Sequence, residues 1–209
     1  ERVNAKGWDI TDAKTVHEIV SNRAPFTDNQ WQAGPLICES GIAASDVSIS
    51  IHNPADAADL VGHVREATVD EVDSAITAAQ SGFKAWSGQS AEHRALCINK
   101  LADLYEEHAD EIFALATREA GKTLLDAVGE LREAVDFARY YAHQAIKAES
   151  YLGARGVITC ISPWNFPLAI FSGQVLAALA AGNTVLAKPA EQTVLIAAKA
   201  VELMYQAGI

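Results

Sequence analysis

The chain has 209 residues, half of them apolar and 21% charged, with a net charge of −11; this is the make-up of a soluble globular protein with room for one large domain or two small ones. No basic run occurs, which excludes a nucleic-acid interface built on clustered Lys and Arg, while an anionic cofactor stays possible because backbone N–H groups at a helix start hold anions unaided. Three widely spaced cysteines, Cys38, Cys97 and Cys160, argue against a disulfide framework and for a reducing, cytoplasmic compartment.

Residues 1–10 lack the apolar core of a signal peptide, and opening on Glu1 rather than Met is expected of an excised piece or of a start chosen by design. Residues 11–22 predict a short helix with Val16, Ile19 and Val20 on one face. From 23 to 41 the text is irregular, with Pro25, Gly34 and Pro35, so 1–41 is expected to be a connecting segment and 42–209 the folded domain. Val47, Ile49 and Ile51 then alternate with polar residues up to the Asn53-Pro54 turn, and 61–67 supplies a second strand, which makes an antiparallel pair.

Helices follow. Thr68 and Glu71 have capping-box spacing ahead of a face of Val72, Ile76, Ala79 and Phe83, with Gly88 as the stop. Ser90 caps a second helix in which Ile98, Leu101, Leu104, Ile112 and Leu115 recur at helical spacing. A third is expected over 123–147, carried by Val128, Leu131, Val135, Ala138 and Ala142. Then the grammar changes. GVITCI at 156–161 reads as a strand buried on both faces, and 168–181 as a helix apolar nearly all round. That helix is the richest apolar stretch of the chain, but it includes Ser172, Gly173 and Gln174 and is too short to span a membrane. Residues 184–187 read as a second buried strand and 193–206 as a second helix. Strand, helix, strand, helix with short joints predicts a parallel sheet with crossovers, hence an α/β fold.

In such a sheet, ligands bind at the carboxyl ends of the strands. The first joint there reads Ser162-Pro163-Trp164-Asn165-Phe166-Pro167. Asn165 offers an amide donor to a developing oxyanion, or it caps the next helix or turns the chain between two prolines; spacing alone leaves these open. The second joint reads Lys188-Pro189-Ala190-Glu191-Gln192-Thr193. A Lys donating to hydroxyl oxygens and a Glu accepting their protons grip a diol such as a ribose, and a surface ion pair is the plainer alternative. No GxGxxG is present, and the six histidines lack metal-ligand spacing, so no metal is expected.

Together the two joints, SPWNFP and AGNTVLAKPAEQT, resemble the cofactor-binding half of the aldehyde dehydrogenase superfamily. NPAD from 53, Trp86, GKT at 121–123 and DFARYYA at 136–142 agree with it, so the resemblance covers roughly 47–209. VITCISPWNFPLAIF and LAKPAEQT look most like the Δ1-pyrroline-5-carboxylate (L-glutamate γ-semialdehyde) dehydrogenase domain of bacterial proline utilization A. The resemblance implies the N-terminal portion of that fold: helices, a small antiparallel strand pair, then the first βαβα of a Rossmann-like NAD domain. It implies NAD as cofactor, with Asn165 in the oxyanion hole and Ile161, Ser162, Pro163 and Trp164 lining the cofactor channel. Lys188 and Glu191 would contact the adenosine ribose, flanked by Pro189 and Ala190. Glu133 would meet the substrate α-amino group and Phe166 its chain; a solvated helix Glu is the plain reading of Glu133.

The reaction so implied needs a thiolate to attack the aldehyde and a Glu-activated water to release the product. In the family both lie downstream of the equivalent of this chain. Cys160 falls in a buried strand, Cys97 in a helix and Cys38 in the connecting segment, so the chain by itself is expected to be inactive. The expected parent is a longer chain, homo-oligomeric, with FAD only in a proline dehydrogenase domain outside these residues. Another aldehyde dehydrogenase, such as a succinate semialdehyde or broad-range enzyme, and a non-catalytic binding fragment are the alternative expectations.

Overall fold

The computed structural model describes residues 3–37, 48–148 and 153–209. Helix α1 (Ala13–Arg23) is followed by strands β1 (Trp31–Ala33), β2 (Ile49–Asn53) and β3 (Asp56–Val64). Helices α2 (Val69–Ser87), α3 (Ala91–Glu107), α4 (Ala109–Arg118) and α5 (Leu124–Ala148) come next. The chain closes with β4 (Val157–Ile161), α6 (Ala169–Ala180), β5 (Thr184–Lys188) and α7 (Val194–Ala207). This is the expected α/β fold.

The local signals act as chemistry predicts. Thr68 Oγ1 accepts the Glu71 N–H while the Glu71 carboxylate accepts the Thr68 N–H, closing the capping box at the start of α2. Ser90 caps α3 by accepting from His93. The predicted second helix is two helices, because the backbone leaves helical geometry at His108 (φ −94°, ψ 18°). The apolar spacing runs through that break since α3 and α4 both face the same core: Ile98, Leu101, Ile112 and Leu115 are all buried. Helix α2 differs from its expected face. Val72 and Ile76 are exposed, and the helix is held by polar contacts, with Trp86 Nε1 donating to the Leu179 carbonyl (2.9 Å) and Thr184 Oγ1 to the Ala79 carbonyl (2.9 Å).

The antiparallel pair β2–β3 is present, with register shifts around His52, and β1 adds a parallel third strand to give the order β1-β3-β2. Periodicity in an irregular, proline-rich stretch gave no sign of β1. It needs Gly62 opposite Trp31, where a Cβ would lie 2.2 Å from the Trp31 carbonyl oxygen, so any side chain there would push the strands apart. The described part of the opening segment is firmly tied down. Trp8 packs edge-on against Phe113, Ile19 is buried, and Arg118 donates to the Phe26 and Asn29 carbonyls while stacking over Trp31.

Strands β4 and β5 run parallel, Val157 opposite Thr184 and Ile161 opposite Lys188, with α6 as the crossover. The expectation that β4 is buried on both faces is corrected. Of its five residues only Cys160 is buried, and Ile161 is 66% exposed, because the helices cover this two-stranded sheet only in part. Helix α6 is the buried one, with Phe171, Ser172 and Leu176 sealed among α3 and α5. There the Tyr105 hydroxyl meets Ser172 Oγ at 2.9 Å. Burial pushes the Tyr105 phenol well above its usual value, against the weaker opposite pull of Ser172, so it stays a neutral hydroxyl. Among the described residues no helix is long and apolar enough to cross a membrane.

Candidate active site

The carboxyl ends of β4 and β5 lie side by side, so the two joints singled out in the sequence come together. Ser162 N–H donates to the Lys188 carbonyl (3.1 Å), continuing the ladder one step past Ile161. Beyond it, Trp164, Asn165 and Phe166 form an exposed bend, while Ser162 and Leu168 on either side are buried. The bend is therefore a loop pinned at both ends, with its middle facing outward.

What pins its far end was not legible in the motif. Helix α6 begins with no side-chain cap of its own. Glu130, which projects from α5 and is 2% exposed, accepts the Leu168 N–H (3.1 Å) and the Ala169 N–H (2.9 Å). Lys122 pairs with the other Glu130 oxygen at 3.0 Å, and the same ammonium lies 4.6 Å from the centre of the Phe166 ring. The alternative in which Asn165 caps α6 is thus overturned, because that position is filled by a carboxylate from another helix. Among the described residues the Asn165 side chain makes no hydrogen bond and is exposed.

Glu133 lies one turn along α5 from Glu130 and is exposed. Burial raises its carboxyl above the usual value, the Glu130 charge adds to this and Lys122 opposes it. Lys122 thus lies against Phe166 and close enough to Glu133 for its charge to act on that carboxyl, which marks one corner of the site, with Asn165 next to Phe166 in the bend.

At the second joint Lys188 Nζ stands 3.7 Å from a Glu191 oxygen, both side chains well exposed. The backbone N–H of Glu191 and the Lys188 charge hold that carboxyl below its usual value. An exposed pair of this length adds little stability, and it presents an acceptor and a donor side by side. Pro189 and buried Ala190 shape the turn. A cleft of about 770 Å³ opens beside them, lined by Lys188, Pro189, Glu191, Val194, Ile51 and Val201 among others.

Helix α7 repeats the device seen at α6. Thr193 gives no side-chain cap. Glu119, 4% exposed at the end of α4, accepts the N–H groups of Leu195 (2.7 Å) and Ile196 (2.9 Å). Burial pushes its carboxyl up to about 7, against the pull of those donors. Two hydroxyls near the strand ends, Ser162 Oγ and Thr193 Oγ1, are buried without a partner. The exposed Lys188 ammonium and Glu191 carboxylate at the strand ends, a donor beside an acceptor at the mouth of the cleft, fit the ribose diol of a dinucleotide.

Neither described cysteine faces this corner as a nucleophile. Cys97 and Cys160 are buried, and burial raises both thiols above their usual value, which suppresses the thiolate. Cys38, and part of the 1–41 segment with it, lies outside the described residues. No group of three potential metal ligands occurs among the described residues.

Comparison with known proteins places the chain in a family. The bifunctional protein PutA of Escherichia coli strain K12 is 43% identical over 210 residues, covering 100% of this chain and 16% of its own length. The alpha-ketoglutaric semialdehyde dehydrogenase of Bacillus subtilis strain 168 is 37% identical over 175 residues, covering 77% of this chain and 36% of its own. A solved 1-pyrroline-5-carboxylate dehydrogenase from Thermus with bound NAD superposes with a TM-score of 0.91 at 27% identity, covering 100% of this chain and 44% of that one. The chain thus spans less than half the length of each. The family model for aldehyde dehydrogenases matches residues 42–209, and the chain belongs to the aldehyde dehydrogenase family.

Proposed function

We propose that these residues are the cofactor-binding and oxyanion-binding half of an NAD-dependent L-glutamate γ-semialdehyde dehydrogenase, which forms L-glutamate in the second step of proline catabolism. A longer chain supplies the nucleophile and the general base. Residues 1–41 then connect this domain to a preceding FAD-dependent proline dehydrogenase domain. The observation that carries the reading is the shared corner. Lys122 stacks over Phe166 and acts on Glu133, so the wall for the substrate chain and the acceptor for its α-amino group stand beside the free amide of Asn165.

Each residue then has a task. NAD, when bound, accepts the hydride lost by the substrate carbon. Lys188 and Glu191 grip the adenosine ribose diol, Lys188 donating and Glu191 accepting. Ile161, Ser162, Pro163 and Trp164 line the channel that leads from that grip to the reacting carbon. Asn165 donates an N–H to the aldehyde oxygen as negative charge gathers there, a contact stronger in the transition state than in the ground state. Glu133 accepts from the ammonium of the amino-acid aldehyde, and Phe166 packs against its methylenes.

Oxidation of another semialdehyde is the second reading, favoured by the Bacillus subtilis relative. Glu133→Gln in the natural full-length protein separates them. The loss of a charged hydrogen bond lowers kcat/KM for glutamate semialdehyde about 10- to 100-fold, while succinate semialdehyde, which lacks the α-amino group, changes less than about threefold. Equal losses on the two aldehydes would favour the second reading.

A further inference from the structure

We propose that Glu130, locked by Lys122, is the positioning residue for Asn165, and that it acts by capping α6 from outside so that the asparagine amide stays free to donate; this rests on the reading of Asn165 as the oxyanion donor.

A helix start presents N–H groups that must find acceptors when buried. At α6 the residues ahead of the helix are Trp164, Asn165, Phe166, Pro167 and Leu168, and in this stretch Asn165 is the residue whose side chain is suited to capping. Left to local chemistry, its side-chain oxygen would turn inward to the orphaned N–H groups of Leu168 and Ala169. The amide would then be spent on structure and turned away from a substrate. Glu130 takes both N–H groups instead, from 38 and 39 residues away in sequence. A carboxylate outcompetes an amide oxygen for donors at the positive end of a helix. The Glu130 side chain is almost wholly buried, and the Lys122 side chain paired with it is mostly covered, at 14% exposed. The carboxylate is therefore held in its orientation by Lys122.

Lys122 adds a second constraint. Its ammonium contacts the Phe166 face, a cation–π contact with the residue directly after Asn165. The bend is thus fixed on both sides of its asparagine: the Ser162 N–H on the Lys188 carbonyl before it, Phe166 against Lys122 and Leu168 on Glu130 after it. None of these contacts involves the Asn165 side chain itself.

The test uses the natural full-length protein with aldehyde-dependent NADH formation, NAD affinity by fluorescence and thermal unfolding, on the wild type, Glu130→Gln, Asn165→Ala and the double variant. Wild-type turnover of aldehyde checks the oxyanion reading separately, since a wild type inactive on every aldehyde fails that reading before Glu130 is in question. Given an active wild type, Glu130→Gln lowers kcat about 100-fold, the loss expected when a donor is displaced by about an ångström. The NAD dissociation constant moves less than about twofold. In the Asn165→Ala background the same substitution costs less than about threefold more, because the residue it positions is gone. Glu130→Asp recovers part of kcat. Phe113→Leu, far away in α4, lowers the unfolding temperature without lowering kcat, which separates positioning from general destabilisation. If Glu130→Gln does not fold, Lys122→Met carries the same comparison. Unchanged kcat, or losses that multiply fully with Asn165→Ala, would overturn the proposal.

Discussion

Removing the buried hydroxyl pair between α3 and α6 gives unequal costs for its two halves. Tyr105 is fully buried, and its hydroxyl meets Ser172 Oγ at 2.9 Å. In Ser172→Ala the phenol keeps its buried O–H with nothing to receive it, and an unsatisfied buried polar group costs about 1–3 kcal/mol. In Tyr105→Phe the orphan is Ser172, which has a way out. Its own N–H already bonds the Leu168 carbonyl at 2.8 Å, and a serine hydroxyl in a helix can turn to that same i−4 oxygen. That loss is about 1 kcal/mol or less. The double variant removes both polar atoms together and costs less than the sum by about 1 kcal/mol or more. Urea unfolding followed by far-ultraviolet circular dichroism measures all four free energies. Additive losses, or a costlier Tyr105→Phe, would refute the claim that the phenol has no acceptor besides Ser172 while Ser172 can turn to the Leu168 carbonyl.

Two further outcomes follow from the carboxyls. The folded Glu119 carboxyl sits at about 7, above its ordinary 4.5, so its stabilising effect is complete below about pH 4.5 and is lost as pH rises through 7. The displacement corresponds to ~3 kcal/mol, and Glu119→Gln should flatten that part of the wild-type stability profile; an unchanged slope would contradict it. Glu71 is the reverse case. The Arg65 guanidinium, aided by the Thr68 N–H, holds its carboxyl down to about 2. Its contribution is therefore present above pH 4.5 and lost as pH falls towards 2, and thermal unfolding of Glu71→Gln should lose its acid-side dependence over that window.

How much of this was legible in sequence depended on range. The capping box at Thr68, the cap at Ser90 and the two joints were legible because each is set by residues within a few positions of one another. The pairing of β4 with β5 followed from the order of elements. Glu119 and Glu130 were invisible as caps: helix periodicity shows which side a residue takes, not which distant N–H it meets. Glu130 lies one turn from exposed Glu133, yet it is buried against the start of α6, whose N–H groups it accepts. Strand β1 was hidden in an irregular segment, since three residues carry no period and its partner is set by Gly62. The break at His108 was hidden because apolar spacing continues on both sides of it.

The account stands most directly on Asn165. In the natural full-length protein, Asn165→Ala should lower kcat for glutamate semialdehyde about 100- to 1,000-fold, the usual cost of one oxyanion donor, while NAD affinity and unfolding temperature stay at wild-type values because the side chain bonds nothing within the described fold. Turnover within a few-fold of wild type would contradict the assignment of this bend as the oxyanion site, and with it the central claim about what these residues do.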